Sequence, residues 1–344
     1  MRTIDEGCRT DLPATSQSRY VSPAAIVPKT TAFRQTRRRT TAMKSALRCL
    51  SLTLALVLPA TGAWTKDYEV VTRPNLEFAQ HDGASLAGDL YLPKGLDKAP
   101  VMIAAHGGGW QVGSRTAYKY WGPFLARNGY ALFSVDYRLG KAGTYPGSVY
   151  DVKAAIQFVR AKAADLGLDP ERIGLMGDSA GGHLAALVGL APDQFTAEYR
   201  GDPNYAVPAN VKAVIGFYGA YDMLAQWHHD QIARPRDQIA EKYLGASPMQ
   251  NRRVYFDSSP ISYATIDRNR ARFLLIHGTA DDVVDPATQS QAFQNALNQA
   301  GIYVRRFVIP GAGHFWASDP FEGEVGGYGA TAAPTILRFL EGAL

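Results

Sequence analysis

Hydrophobic and polar positions follow two different periods along the chain. Between residues 68 and 92 apolar side chains alternate with polar ones, which is typical of strands with one buried face. From Pro100 onward the apolar positions form short unbroken runs separated by segments of helical period, and such runs belong to a parallel sheet covered on both sides. The pattern predicts an α/β fold with a mostly parallel twisted sheet, antiparallel amino-terminal edge strands and helices on both faces.

The individual elements follow from these runs. The edge strands are predicted over Tyr68–Thr72, Leu76–Gln80 and Ser85–Leu92. The buried strands are predicted over Val101–Ala105, Ala131–Val135, Ile173–Met176, Val211–Phe217, Phe273–Ile276 and Tyr303–Ile309. The helices are predicted over Tyr118–Asn128, Val149–Ala164, Ala180–Leu190, Pro286–Ala300 and Thr331–Leu340.

One segment, residues 222–270, interrupts the alternation of strands and helices. It holds a predicted helix at Arg236–Leu244 and the polar run His228-His229-Asp230. An excursion of this length within a compact domain is usually a lid or a binding segment. Three adjacent polar side chains diverge in any regular structure, so we expect no metal site here.

The first 63 residues differ in composition from the rest. Residues 1–42 are rich in Arg, Thr, Ser and Pro without apolar periodicity, which predicts disorder. Residues 43–63 resemble a secretory signal peptide, with Lys44 and Arg48 before the apolar run Leu50–Leu58 and small residues up to Ala63. Met43 is an alternative start. We therefore expect export to the periplasm or beyond, no stable membrane insertion after cleavage, and one folded domain of residues 64–344.

Charge and cysteine content change when this leader is set aside. Residues 1–63 hold ten Lys and Arg against three Asp and Glu, a surplus of seven, whereas the whole chain carries +5, so the remainder is −2. The remainder therefore offers no basic surface typical of nucleic-acid binding. Both cysteines, Cys8 and Cys49, lie in the leader, so residues 64–344 form no disulfide and no thiolate site.

The candidate chemistry centres on Gly177-Asp178-Ser179-Ala180-Gly181, which joins a predicted strand to a predicted helix. Glycines flanking a serine at such a turn allow the strained backbone of a nucleophile elbow. Two further loops carry the matching groups: Asp281, beside the alternative acid Asp282, and His314 each follow a predicted strand. The order Ser179, Asp281, His314 predicts a nucleophile, an orienting acid and a general base.

A fourth motif, His106-Gly107-Gly108-Gly109-Trp110, follows the strand Val101–Ala105. Successive glycines allow backbone N–H groups to approach a substrate carbonyl, and with the N–H of Ala180 they are candidates for an oxyanion hole. His106, His183 and His277 are expected to be hydrogen-bonded structural residues. Asp178 is expected to stabilise the turn.

The His-Gly-Gly-Gly and Gly-Asp-Ser-Ala-Gly-Gly motifs resemble those of serine esterases of the α/β-hydrolase superfamily, the hormone-sensitive-lipase-like group and its relatives. The resemblance covers about residues 93–344. Trp110, Asp136-Tyr137-Arg138-Leu139 and Ser259-Pro260-Ile261-Ser262-Tyr263 are more similar to secreted bacterial esterases that act on acetyl or feruloyl groups of hemicellulose. The resemblance implies an α/β-hydrolase fold, oxyanion donors at Gly108, Gly109 and Ala180, and the acid at Asp281.

The function predicted is hydrolysis of short-chain acyl esters through an acyl-enzyme, on small-molecule or saccharide substrates and without a cofactor or metal. Trp110, Tyr137, Trp227 and Trp316 are candidates for the substrate pocket, the alternative being that these aromatic residues fill the core or the lid. Amidase or peptidase-like activity and lipid esterase activity on the same residues are the alternatives, followed by a non-catalytic binding protein of the same fold.

Overall fold

A computed structural model describes residues 67–195, 199, 201–268, 270–321 and 327–344. From residue 67 onward the described residues belong to one compact unit. The predicted disordered segment 1–42 and signal peptide 43–63 lie outside the described residues. In the described ranges, every helix is too short or too polar to cross a membrane.

An eight-stranded sheet organises this unit, and it confirms the predicted mixture of strand directions. Its strands are β1 (Val70–His81), β2 (Ala84–Pro93), β3 (Ala99–Ala105), β4 (Ala131–Val135), β5 (Leu168–Asp178), β6 (Ala213–Phe217), β7 (Arg272–Gly278) and β8 (Val304–Ile309). They lie in the order β1-β2-β4-β3-β5-β6-β7-β8. β1 and β2 are antiparallel edge strands, and β4, β3 and β5 to β8 run parallel to one another.

Several sequence-based boundaries differ from the structure, most clearly those of β1 and β5. The two short strands expected between residues 68 and 80 form one strand, β1, because its pairing with β2 absorbs irregularities between Arg73 and Leu76 and between Glu77 and Ala79. β5 begins at Leu168, five residues before the apolar run at Ile173, because Leu168 pairs with Ala99 of β3; the polar residues 169–172 form an irregularity before regular pairing resumes at Ile173.

Helices cover both faces of the sheet. They are α1 (Trp121–Arg127), α2 (Gly147–Ala161), α3 (Ala163–Leu166), α4 (Ala180–Leu190), α5 (Met223–Ala233), α6 (Ile239–Leu244), α7 (Arg252–Ser258), α8 (Ala292–Gln299) and α9 (Tyr328–Ala343). Alternate side chains of β3 belong to two different cores: Ile103 is part of the core to which α2, α4 and α8 contribute, whereas Met102 is part of the core to which α1 and α9 contribute. Because the central strands β3, β4, β6 and β7 are buried on both faces, both layers of helices are held by hydrophobic burial.

The amino-terminal hairpin is fastened to the helical layer by buried charges. His81 Nδ1 lies 2.6 Å from Asp151 Oδ1, and the guanidinium of Arg138 donates to the same carboxylate with Nε 2.9 Å from Oδ2. His81 and Asp151 are 1% and 0% exposed. A buried carboxylate is tolerated when it is paired and hydrogen-bonded, so this cluster joins β1, the loop after β4 and α2.

Residues 222–270, predicted to be a lid-like insertion, form α5, α6 and α7 and two short 3₁₀ turns. The Asp222 side chain caps α5 by accepting from the N–H of Ala225, and the Asn251 side chain caps α7 by accepting from the N–H of Val254. The predicted helix Arg236–Leu244 is shorter, because α6 begins at Ile239. The insertion lies beyond the carboxyl end of β6, where open α/β sheets bind their ligands.

Candidate active site

Ser179 lies between β5 and α4 in a backbone conformation that non-glycine residues rarely adopt, with φ 53° and ψ −118°. The flanking glycines make this possible. A Cβ at Gly181 would lie 1.9 Å from the carbonyl oxygen of Ala105, and one at Gly177 would lie 2.3 Å from the backbone of Gly181. The tight turn therefore projects the hydroxyl beyond the end of the sheet, at the first turn of α4.

The loops after β7 and β8 bring an acid and a histidine to this hydroxyl. His314 Nε2 is 2.9 Å from Ser179 Oγ, and His314 Nδ1 is 2.7 Å from Asp281 Oδ2. The carboxylate accepts, so Nδ1 carries the proton and Nε2 is left as the acceptor for the serine hydroxyl. This is the arrangement in which a histidine can remove the serine proton.

Asp281 is held in place from both sides. Its Oδ1 accepts from the N–H groups of Val283 and Val284 at 3.0 and 2.9 Å, and its Oδ2 lies 3.2 Å from Nε2 of His277 as well as next to His314. Burial alone would raise the pKa of Asp281, but the hydrogen bonds from His277 and His314 outweigh it and hold the pKa well below its usual range. The carboxylate is therefore ionised wherever the protein is folded near neutral pH.

Asp282, the alternative acid, points elsewhere. Its side chain is exposed, and its carbonyl oxygen accepts from His229 Nε2 at 2.9 Å. The structure thus brings together Ser179, Asp281 and His314 but not Asp282. His228 is exposed, His229 donates from Nε2 to the Asp282 carbonyl oxygen, and Asp230 is buried. Among the described residues, no three His, Cys, Asp or Glu side chains are grouped as metal ligands would be.

The glycine loop after β3 has an irregular backbone. Gly108, Gly109 and Trp110 have φ values of 113°, 59° and 58°, and a Cβ at Gly108 would lie 2.0 Å from the carbonyl oxygen of Val112. The N–H of Gly107 donates to Asp178 Oδ1 at 2.9 Å, which fixes the loop against the nucleophile turn. The N–H groups of Gly108 and Gly109, and that of Ala180 at the first position of α4, are the donors left for a substrate oxygen.

Asp178 and Tyr137 hold the glycine loop in place through hydrogen bonds to its backbone. Tyr118 donates its hydroxyl to Asp178 Oδ1 at 3.0 Å, and burial raises the pKa of Asp178 although these hydrogen bonds oppose the shift. Tyr137 stacks on His106 with ring centroids 4.4 Å apart and donates its hydroxyl to the His106 carbonyl oxygen at 2.7 Å. Asp178 is thus a turn-stabilising acceptor, as expected, and Tyr137 is a support of the loop.

Trp110 is anchored by a buried histidine. Its Nε1 donates to His183 Nδ1 at 3.2 Å, and its ring stacks on Tyr243 of α6 with centroids 4.4 Å apart. His183 Nε2 in turn donates to the carbonyl oxygen of Ser258 at the end of α7, at 2.8 Å. Burial lowers the pKa of His183 to about 4, so the ring is neutral and accepts through Nδ1. His183 therefore links the glycine loop, α4 and the insertion.

A cavity of about 220 Å³ opens at the serine. Its walls come from the glycine loop, the nucleophile turn, the acid and histidine loops, and the insertion; they are formed by Gly108, Gly109, Trp110, Val112, Ser179, Ala180, Ala220, Gln226, Asp230, Arg234, Ile239, Val283, Val284, His314 and Phe315. Most of these groups are apolar, which is usual for a pocket that buries part of a small substrate.

Of the four aromatic residues expected at the pocket, Trp110 lines it and the other three do not. Tyr137 lies beneath the glycine loop, as described above. Trp316 follows His314 closely in sequence, but its side chain points into the core. It is 2% exposed and packs against Phe217 and Tyr218. Trp227 lies outside the wall and donates from Nε1 to Glu241 at 3.1 Å. The expectation is corrected for these three residues.

Sequence reasoning missed several side chains of the wall. Gln226, Asp230 and Arg234 occupy one stretch of α5 and the residue after it, and Ile239 begins α6. Their spacing of four residues places Gln226, Asp230 and Arg234 on one side of the helix. This spacing was readable in the sequence, but the sequence contained nothing that pointed this side of α5 toward the serine.

Comparison with known proteins gives a consistent picture. Residues 88–297 match the BD-FAE family model. Esterase LipC of Mycobacterium tuberculosis is 35% identical over 221 residues, covering 63% of this chain and 53% of its own. Isoprenylcysteine alpha-carbonyl methylesterase ICME of Arabidopsis thaliana is 29% identical over 251 residues, covering 68% of this chain and 55% of its own. The chain spans about half the length of these curated relatives.

Solved structures share the architecture over most of the described unit. A truncated carbohydrate esterase from gut microbiota is 26% identical with a TM-score of 0.64, covering 81% of this chain and 97% of its own. A thermophilic esterase from Thermogutta terrifontis with bound propionate is 25% identical with a TM-score of 0.61, covering 81% and 94%. These comparisons confirm the α/β-hydrolase fold. The chain belongs to the BD-FAE family, and its described domain shares the fold of solved esterases.

Proposed function

We propose that the protein hydrolyses short-chain acyl esters, including acyl groups carried on saccharides, through an acyl-enzyme on Ser179. The observation that carries this proposal is the continuous hydrogen-bonded path from Ser179 Oγ to His314 Nε2 at 2.9 Å and from His314 Nδ1 to Asp281 Oδ2 at 2.7 Å. This path ends in a cavity lined by backbone donors and apolar side chains.

The roles of the residues follow from this geometry. Ser179 Oγ attacks the ester carbonyl while His314 Nε2 takes the hydroxyl proton, and the ionised Asp281 stabilises the resulting imidazolium. The carbonyl oxygen becomes an oxyanion facing the N–H groups of Gly108, Gly109 and Ala180. His314 then gives its proton to the departing alcohol. A water molecule attacks the acyl-enzyme in the second half-reaction, again with His314 as the base.

The oxyanion hole receives additional support from α4. Ala180 is the first residue of this helix, so its N–H has no partner within the helix and the positive end of the helix dipole faces the reacting oxygen. Donors fixed in this way before the reaction stabilise the charge that develops in the transition state. Removal of one such donor typically costs about 3 to 4 kcal/mol of transition-state stabilisation.

The restriction to short acyl groups is supported by the size and walls of the cavity. Trp110, Ile239 and Phe315 bound a space of about 220 Å³. The Thermogutta terrifontis esterase has been solved with propionate and with butyrate bound, and it shares this fold at 25% identity. We therefore expect kcat/KM to be highest for acetyl to butyryl esters and to fall for longer chains.

Saccharide esters are proposed because structural relatives include a carbohydrate esterase and a bifunctional GH43-CE protein of Bacteroides eggerthii, 26% identical to this chain with TM-scores of 0.64 and 0.65. The test is a panel of acetylated and feruloylated saccharides beside p-nitrophenyl esters from acetyl to decanoyl. The proposal expects the saccharide acetates to be cleaved. Preference for octanoyl or longer esters would identify a lipid esterase instead, and turnover of an amide analogue at a comparable rate would identify an amidase.

Export is a separate proposal, supported by the sequence pattern of residues 43–63. Expression of the full chain in a Gram-negative host, followed by fractionation and amino-terminal sequencing, is the test. We expect a mature form that begins close to Trp64 in the periplasmic or extracellular fraction. Retention of the uncleaved chain in the cytoplasm would contradict the proposal.

A further inference from the structure

Phe315 is a large apolar side chain that is exposed directly beside His314. It lines the cavity and is 61% exposed, whereas the next residue, Trp316, is 2% exposed. The backbone of Phe315 has φ 72°, in the left-handed region that bulky residues rarely adopt. Neither burial nor backbone preference therefore accounts for the position of this ring. Strained residues of this kind are concentrated at functional sites, where the strain is retained because the side chain is needed there.

The ring of Phe315 packs against the imidazole of His314. The two ring centroids are 4.5 Å apart and the planes are inclined by 87°. Tyr218 packs on the same imidazole with centroids 4.4 Å apart, but Tyr218 is 0% exposed. Tyr218 thus covers the buried side of the imidazole, and Phe315 lies on its accessible side. A substrate group that approaches the imidazole from the cavity therefore meets Phe315.

The proton transfer from His314 determines which part of the ester comes close to this ring. His314 Nε2 lies 2.9 Å from Ser179 Oγ, and after the attack the same nitrogen must donate to the alcohol oxygen. Such a transfer needs a separation of about 2.6 to 3.2 Å, so the alcohol oxygen lies next to the imidazole when the ester bond breaks. The carbonyl oxygen faces the proposed oxyanion donors instead. Phe315 is therefore a neighbour of the alcohol part of the ester.

A second exposed apolar side chain lines the same cavity. Val112 is 64% exposed, and its Cγ2 lies 3.3 Å from the position that a Cβ of Gly108 would take, which places it beside the glycine loop. The amide and charged side chains of the wall, apart from His314, come from α5 and the residue after it. The cavity thus offers exposed apolar surface beside the histidine and beside the glycine loop, and this surface favours apolar parts of a substrate.

A ring with an apolar face matches the surface of Phe315. Aromatic side chains present a broad, flat apolar area and pack on other rings in stacked or edge-to-face geometry. An aryl group has two apolar faces, and a pyranose has a face of C–H groups. A flexible alkyl chain covers less of a flat surface and loses rotational freedom when it binds. The exposed ring therefore favours a six-membered ring in the substrate.

We propose that Phe315 is a specificity-determining residue that contacts the alcohol part of the ester, and that the enzyme prefers alcohols with a six-membered ring close to the ester oxygen. This inference rests on the proposed esterase function and deepens it, because it assigns a recognition surface to the departing alcohol. An aryl ring and a pyranose ring share the apolar face that the contact needs, and the two sources are separated by experiment.

The test compares acetates that differ by a ring in the alcohol part. The first arm measures kcat/KM for benzyl acetate and allyl acetate, whose alcohols are of similar acidity. The second arm measures it for methyl 6-O-acetyl-α-glucopyranoside and 2-methoxyethyl acetate. All four esters form the same acetyl-enzyme, so differences in kcat/KM arise in the steps up to departure of the alcohol.

In at least one arm we expect the ester with the ring to be preferred by about 10-fold, and that arm identifies the ring as aryl or pyranose. Equal values within both pairs would overturn the proposal while leaving ester hydrolysis intact. Failure to cleave any ester would overturn the proposed function instead.

Substitution assigns the preference to its residue. Phe315→Ala removes the ring, and the ratio of the two kcat/KM values is expected to fall to about 2 or less. The ratio does not depend on how much of the variant is folded, because both esters are measured on the same preparation. Phe256→Ala is the matched control, since Phe256 is a phenylalanine of α7 that is 57% exposed and does not line the cavity. It is expected to keep the wild-type ratio, and a ring preference that survives in Phe315→Ala would also overturn the proposal.

Discussion

Two buried aspartate–histidine pairs in this molecule have nearly the same local geometry and different surroundings. In the candidate active site, His314 Nδ1 is 2.7 Å from Asp281. In the buried cluster of His81, Arg138 and Asp151 that fastens the amino-terminal hairpin, here called the hairpin anchor, His81 Nδ1 is 2.6 Å from Asp151. Beyond His314 lies Ser179 Oγ at 2.9 Å, whereas beyond His81 the carboxylate of Asp202 lies 3.6 Å from Nε2. Asp151 also forms an ion pair with the guanidinium of Arg138. Among the described residues, the ion-pair partners of Asp281 are the histidines His277 and His314. The two aspartate–histidine pairs therefore differ in what the second histidine nitrogen faces. At His314 it faces the hydroxyl of Ser179 on its strained turn, and at His81 it faces a second carboxylate.

The largest expected effect is loss of that nucleophile. Ser179→Ala removes the group that distinguishes the two pairs, and kcat/KM on p-nitrophenyl acetate should fall by about 10⁴-fold or more. Thermal unfolding should show that the variant remains folded. Substantial activity surviving in pure Ser179→Ala protein would show that the pair at Asp281 does not act through this serine.

The next effect tests the acid of the catalytic pair. Asp281→Asn leaves a side chain of similar shape but no longer stabilises the imidazolium, so kcat should fall by about 10³- to 10⁴-fold. Asp282→Asn is the matched control, because Asp282 is exposed and contacts His229 through its backbone. Steady-state kinetics of the two variants should rank Asp281→Asn as severe and Asp282→Asn as mild. The reverse ranking would contradict the geometry of the site.

The corresponding change in the hairpin anchor should act on stability instead. Asp151→Asn leaves the buried guanidinium of Arg138 without its main counter-charge, and breaking such a pair costs about 3 to 5 kcal/mol. The measurement is the free energy of unfolding in urea, together with kcat per folded molecule. A loss of stability with kcat retained would separate the two pairs, and a loss of kcat comparable to that of Asp281→Asn would remove the distinction between them.

His183 extends the comparison to a buried histidine without a carboxylate. Its pKa is about 4 in the folded protein and about 6.5 when unfolded, so the unfolded chain binds a proton that the folded protein does not. The free energy of unfolding should fall as the pH is lowered from about 6.5 to 4, by up to about 1.4 kcal/mol per pH unit from this group. Urea unfolding at several pH values should show a shallower dependence in His183→Gln. His228→Gln, at an exposed histidine, should retain the wild-type dependence.

The smallest effect concerns the acyl group. Ile239→Ala enlarges the cavity beside the glycine loop, because Ile239 lines the cavity and its side-chain carbons lie 3.1 to 3.9 Å from the position that a Cβ of Gly109 would take. Each methylene that then fits contributes about 0.8 kcal/mol, so kcat/KM for hexanoyl esters should rise several-fold relative to acetyl esters. Ile266→Ala, at a position that is 80% exposed, is the control and should leave the chain-length profile unchanged. An unaltered profile in Ile239→Ala would place the acyl group elsewhere.

Local patterns predicted the sheet, and they predicted that Ser179, Asp281 and His314 lie together. Strands buried on both faces appear as apolar runs, and glycines at 177 and 181 are required by contacts as short as 1.9 Å. The pocket was predicted poorly because side chains of α5 and α6 reach it through the packing of the insertion, which has no local signal. The pocket role expected of Trp316 was wrong for the same reason. Its closeness to His314 in sequence does not determine the direction of its side chain, which packs in the core.

The triad is assembled from residues that are far apart along the chain. Ser179 and His314 are separated by 135 positions, and the strands that carry the nucleophile and the histidine are brought together through β6 and β7. Contacts of such long range form slowly, because distant segments must meet before any favourable interaction is gained. Recovery of activity during refolding should therefore lag behind recovery of helical circular dichroism, which makes the hydrolytic assay a selective reporter of the last long-range strand pairings to form.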